Sequence, residues 1–102
     1  MRPDQLNALL NGVDCPIILD VRSGFEYRSG HLPGAIHLPF WQVLFKTTTI
    51  PGGRKSQLVL YCEHGPRAVL ARGMLQLRGF RRHELLQGHM YAWRRAGRRI
   101  ER

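Results

Sequence analysis

Cysteine and acidic side chains are scarce in this sequence, and long apolar runs are missing altogether. Only two cysteines occur, Cys15 and Cys62. Two thiols allow at most one bridge, so a disulfide-stapled scaffold is excluded, and hydrophobic residues at 43% of the chain are enough to fill a core without one. There is no Cys-x-x-Cys pair, and the five histidines are scattered without metal-ligand spacing, so no structural metal site is expected. Both thiols are read as reduced, as in a cytoplasm-like compartment. No apolar stretch approaches the roughly 18 residues needed to cross a bilayer. The opening Met1-Arg2-Pro3-Asp4-Gln5 lacks the apolar core of a secretory signal. A soluble cytoplasmic protein with no membrane contact is the expectation.

Asp and Glu number 7 against 16 Lys and Arg, leaving a formal net charge of +9. Such a field attracts anions, whether small molecules, nucleic acid or an acidic protein face. Much of the excess is arginine in the second half: Arg78, Arg81, Arg82, Arg94, Arg95, Arg98, Arg99 and Arg102. The preferred reading is a solvated helical face followed by a frayed basic tail from about residue 97. Nucleic-acid binding would call for basic residues interleaved with stacking aromatics. Tyr91 and Trp93 beside Arg94 and Arg95 give only a faint version of that pattern, so nucleic acid is not the expected partner.

The 102 residues fit one domain, with no repeat, linker or low-complexity tract dividing them. Asp4 caps a short helix to about Leu10 that turns Leu6, Leu9 and Leu10 to one side, with Asn11-Gly12 after it. Ile17 to Val21, an apolar run that reaches a charge at Asp20, and Leu58 to Tyr61, apolar throughout, show the pattern of strands buried on both faces of a parallel sheet. Ala35 to Leu38 and His83 to Leu86 are shorter strand candidates. Between them lie a short helix over Ser23 to Ser29 with Phe25 inward, and another over Phe40 to Phe45 with its aromatics inward. A stronger helix covers Arg67 to Leu77, with Val69, Leu70, Met74 and Leu77 on one face, and a last one covers Met90 to Ala96. Alternating strands and helices predict an α/β fold, a small parallel sheet of about four to five strands with helices on both faces. In such sheets chemistry sits beyond the carboxyl ends of the strands.

The second strong strand runs straight into Tyr61-Cys62-Glu63-His64-Gly65-Pro66-Arg67-Ala68. Gly65 permits a tight turn, and Pro66 suits the entry to a helix. Backbone N–H groups of such a loop converge on whatever anion sits at the helix start. The thiolate, not the thiol, is the nucleophile, and a free thiol is only a few per cent ionised at neutral pH. Holding three quarters of it ionised takes about 2.7 kcal/mol of differential stabilisation. A helix N-terminus supplies about 0.3–1 kcal/mol, occasionally about 2. Loop amides and Arg67 are therefore expected to supply the remainder, with Glu63 facing solvent. The alternative is a buried structural thiol, a common fate of cysteine. The Gly, Pro and Arg within five residues favour the reactive reading for Cys62, and the lack of basic neighbours favours the structural one for Cys15, which stands before Pro16 in a turn. His64 is open between contacting substrate, orienting the loop and simply facing solvent.

Leu19-Asp20-Val21-Arg22, Glu26-Tyr27 and Gly30-His31-Leu32-Pro33-Gly34-Ala35-Ile36-His37-Leu38-Pro39 together resemble the amino-terminal signature of the rhodanese family of sulfurtransferases. The segment from Tyr61 to Ala68 resembles that family's active-site loop. Leu86-Gln87-Gly88-His89-Met90-Tyr91-Ala92-Trp93 with Gly97 is similar to its closing segment. The resemblance implies that Cys62 is the nucleophile and persulfide carrier, that Glu63, His64, Gly65, Pro66 and Arg67 cradle the outer sulfur, and that Arg67 helps bind an anionic donor such as thiosulfate. It also implies that Asp20 and Arg22 form a structural pair near the site. A thiol or protein would accept the sulfur, and no cofactor is needed. Phosphatases of the same fold carry five residues between Cys and Arg. The four between Cys62 and Arg67 suit a sulfur atom better than a phosphate or arsenate group. A non-catalytic interaction module of the same fold is the remaining rival.

Overall fold

The computed structural model describes residues 1–102. Four strands, β1 (Ile17–Asp20), β2 (Ile36–His37), β3 (Leu58–Tyr61) and β4 (His83–Leu85), form one parallel sheet in the order β2-β1-β3-β4. The two strong apolar runs are its centre, paired in register from Ile17 with Leu58 to Asp20 with Tyr61. Strand side chains alternate between faces, and both faces are covered here. Leu19, Val21, Leu58, Leu60 and Cys62 point to one side, where they meet Ala68, Ala71, Leu75 and Phe80. Ile18, Val59 and Tyr61 point to the other, against Leu6, Leu86, Met90 and Trp93. That is why neither strand shows a polar alternation in sequence.

The helices are α1 (Pro3–Leu9), α2 (Gly24–Ser29), α3 (Pro66–Leu77) and α4 (His89–Arg95). Arg2, not Asp4, is the N-cap of α1, and Pro3 occupies the first helical position, where its missing N–H costs nothing. Ser23 and Glu26 cap α2 reciprocally, each side chain bonding the other's backbone N–H. No helix is long and apolar enough to cross a membrane.

Several apolar side chains lie elsewhere than the sequence pattern placed them. Helix α3 buries Ala68, Ala71 and Leu75, while Val69, Leu70 and Leu77 are exposed. Small residues face the sheet because they let the helix backbone approach it closely, and Met74 packs only at the margin. Phe25 is exposed at 76% of its surface rather than inward. The expected helix over Phe40 to Phe45 is a 3-10 turn at Phe40–Gln42; Val43 fills the core while Trp41 and Phe45 stay largely in solvent. The basic end is not frayed. Glu101 and His31 exchange backbone hydrogen bonds at 2.8 Å, and the Trp93 indole donates to the Arg99 carbonyl at 2.9 Å.

Candidate active site

Cys62 follows the last residue of β3, at the carboxyl edge of the sheet, and Pro66 opens α3. The intervening turn is possible because Gly65 has φ +129°, a conformation closed to most residues. A side chain there would also approach the His89 ring, at 3.1 Å from Nε2. With the turn made, the Gly65 N–H donates to Cys62 Sγ at 3.0 Å and the Ala68 N–H donates to it at 3.4 Å. The sulfur has no exposed surface and shares its side of the sheet with Leu60 and Ala68. Burial is the mark of a structural thiol, but amides aimed at sulfur are not: a neutral thiol is a poor acceptor, whereas a thiolate gains from each donor. Ala68 was not among the expected cradle residues. As the third residue of α3 it carries one of the N–H groups that no helical carbonyl can satisfy.

Around the loop the charges are paired, and two pairings differ from the sequence expectation. Arg67 places its guanidinium on Glu26, with Nη1 and Nη2 at 2.5 and 2.9 Å from the two carboxylate oxygens. Its fork is therefore occupied by a protein carboxylate rather than open to a donor, although it remains within electrostatic range of Cys62. The Arg67 bond, with help from Ser23, holds the Glu26 carboxyl at about 2, against an ordinary value of 4.5. Glu63 does not face solvent. Its carboxylate is only 19% exposed and lies against Arg94, which donates from Nη1 at 3.0 Å, and near Arg22 Nη1 at 3.5 Å. Arg94 is also the main reason its carboxyl lies below the usual range. A basic neighbourhood draws an acidic loop residue inward.

Beneath the loop, Asp20 and Arg22 form a fully buried ion pair. The Asp20 carboxylate accepts from Arg22 Nη2 and from the Tyr61 hydroxyl, each at 2.7 Å, and from the Arg22 backbone at 3.0 Å. Arg22 also donates to the Gly30 carbonyl at 2.7 Å. Tyr61 in turn accepts the Leu32 N–H at 3.1 Å, and burial pushes its phenol well above the ordinary range. One buried network thus ties β1, β3 and the Gly30–Leu32 segment together below the cysteine. Next to it is an open hollow with Arg22, Glu26, Glu63 and Arg94 in its walls. Cys62 is not among them, and its side chain has no exposed surface.

His64 is exposed and its ring lies 5.1 Å from that of Tyr91. Cys15 precedes β1 at the opposite, amino edge of the sheet, and the two cysteines are free. Glu26, Arg94 and His89 stand at the site although none of them was expected there. The Ser23-x-x-Glu26 spacing marks a helix start, but nothing in sequence announces that the same carboxylate will meet Arg67.

A buried sulfur receiving loop amides at the carboxyl edge of a parallel sheet defines a cysteine-loop α/β domain. The family model of the rhodanese-like domain matches residues 2–96, and the chain belongs to that family. It is 30% identical over 94 residues to a sulfurtransferase of Allochromatium vinosum, covering 92% of this chain and 86% of that protein. It is 39% identical over 72 residues to a tRNA sulfurtransferase of Desulfurococcus amylolyticus, covering 71% of this chain but only 14% of that much longer protein. Among solved structures, the Alr3790 protein from Anabaena sp. shares the fold with a TM-score of 0.89 at 24% identity, covering 99% of this chain and 81% of that one.

Proposed function

We propose that residues 1–102 act as one sulfurtransferase unit in which Cys62 carries sulfane sulfur as a persulfide. The observation that supports this most is the pair of amides, from Gly65 and Ala68, directed at Cys62 Sγ. They stabilise negative charge on the sulfur, and so favour both the attacking thiolate and its return as leaving group. The name of the Allochromatium relative supports the same reading.

The reaction is a double displacement. Cys62 thiolate attacks the outer sulfur of an anionic donor such as thiosulfate; the donor S–S bond breaks and its electron pair leaves with sulfite. The new outer sulfur rests in the loop formed by Glu63, His64, Gly65, Pro66 and Arg67. An acceptor thiolate, from a small thiol or a protein, then attacks that sulfur and releases Cys62 thiolate. Asp20 and Arg22 keep the floor of the loop in place. No organic cofactor or metal takes part, since the transferred group rides on the protein's own sulfur. Donor binding requires Arg67 to share its guanidinium with Glu26 or to exchange it for the donor.

Treatment with thiosulfate followed by peptide mass spectrometry should add the mass of one sulfur atom to the Cys62 peptide, and Cys62→Ser should abolish the addition. An intact thiol with no added sulfur from thiosulfate or a polysulfide would overturn the reading.

A further inference from the structure

His89 opens α4 with φ +52°, in the left-handed region where a β-carbon is disfavoured. Such a conformation persists when the surroundings over-determine it, and it clusters where a side chain is needed in one place. The His89 imidazole is 8% exposed and is set against the cysteine loop. Its Nδ1 accepts the Cys62 backbone N–H at 3.3 Å. Its Nε2 lies against Gly65, close enough that a β-carbon there would be 3.1 Å away. The loop is fastened to the same helix start by main-chain bonds, from Met90 N–H to the Cys62 carbonyl at 3.0 Å and from Tyr91 N–H to the Glu63 carbonyl at 3.2 Å.

The bond to Nδ1 settles the state of the ring. A backbone amide only donates, so Nδ1 presents a lone pair and the single proton of the neutral imidazole is on Nε2. Burial, and secondarily His64, lower the His89 pKa and keep the ring in that neutral form. The ring thus touches the loop at both ends: the amide of the nucleophile itself, and the residue whose N–H reaches Sγ at 3.0 Å.

We propose that His89 is a positioning residue for the thiol cradle, accepting the Cys62 amide and buttressing Gly65 so that the Gly65 N–H stays on the sulfur. The proposal rests on the sulfur-transfer reading for what the thiol carries, but its main readout does not. A merely space-filling role makes the opposite prediction, because glycine at position 89 relieves the backbone and would leave the thiol unchanged.

The test compares H89G with H89N. Asparagine tolerates the left-handed conformation and offers a carbonyl acceptor, so it is the conservative rescue. Urea unfolding, the rate of Cys62 alkylation by iodoacetamide at neutral pH mapped by peptide mass spectrometry, and sulfur uptake from thiosulfate are measured on each full chain. H89G should stay folded but unfold at a somewhat lower urea concentration, since the Cys62 N–H loses its acceptor, and be alkylated about tenfold more slowly, the factor carried by one charge-assisted hydrogen bond. Its sulfur uptake should fall in step, and H89N should recover most of both. Folded H89G alkylated at the wild-type rate or faster overturns the proposal, as does H89N no better than H89G. An H89G chain that fails to fold overturns it too, because the ring would then hold the fold rather than the loop. If wild-type protein takes up no sulfur while H89G still slows alkylation, the positioning role stands and the sulfur-transfer reading falls.

Discussion

Replacing Glu26 by Gln removes one charge from the clasp over the cysteine loop and leaves an amide oxygen to cap α2. The Glu26 carboxylate accepts from both terminal nitrogens of Arg67 and from the Ser23 backbone and hydroxyl. Its carboxyl titrates at about 2, against 4.5 when unperturbed, with the Arg67 bond as the largest cause. At about 1.36 kcal/mol per unit, the full displacement corresponds to about 3 kcal/mol. Both side chains are 29% exposed, and solvent screening reduces the value of such a pair to about 0.5–1 kcal/mol. A carboxyl whose pKa is depressed on folding stabilises the protein above its unfolded value and loses that contribution as pH falls towards the folded one. E26Q should therefore be less stable than the wild type by about 0.5–1 kcal/mol at neutral pH, and the gap should close between the two titration values. Urea unfolding of both proteins across that range measures it. A gap that is absent at neutral pH, or that does not change on acidification, would refute the assignment of the clasp.

Two further changes probe the buried network under the loop. Arg22→Ala leaves the Asp20 carboxylate uncompensated and the Gly30 carbonyl without its donor; the unfolding free energy should drop by about 3–5 kcal/mol, and a loss below about 1 kcal/mol would contradict a dry pair. Tyr61→Phe takes one donor from Asp20 and the acceptor from the Leu32 N–H; about 1–3 kcal/mol should be lost, with faster amide exchange at Leu32 by NMR.

What could be read directly from the residues was local or periodic. Two apolar runs, the first ending on Asp20, marked β1 and β3, because a strand buried on both faces has no polar alternation to show. The passage from β3 through Cys62 and Gly65-Pro66 into a helix was visible because glycine and proline restrict the backbone wherever they occur. The cysteine loop was therefore located from sequence. The ordering of motifs along the chain pointed to the family that the comparison then showed.

Tertiary structure decided which face of α3 is buried, because apolar residues surround that helix and only close approach to the sheet selects Ala68, Ala71 and Leu75. It also decided the partners of the charges. Glu26 and Arg67 are far apart in sequence and adjacent in space, as are Glu63 and Arg94, and Cys62 and His89. Spacing along the chain carries no information about such pairs, since opposite charges and donors find one another only after the sheet has fixed where each loop emerges. Residue types and their order thus determined that a thiol would stand at the end of a strand. Packing across the sheet determined that it would be buried, held by two amides and backed by a histidine ring.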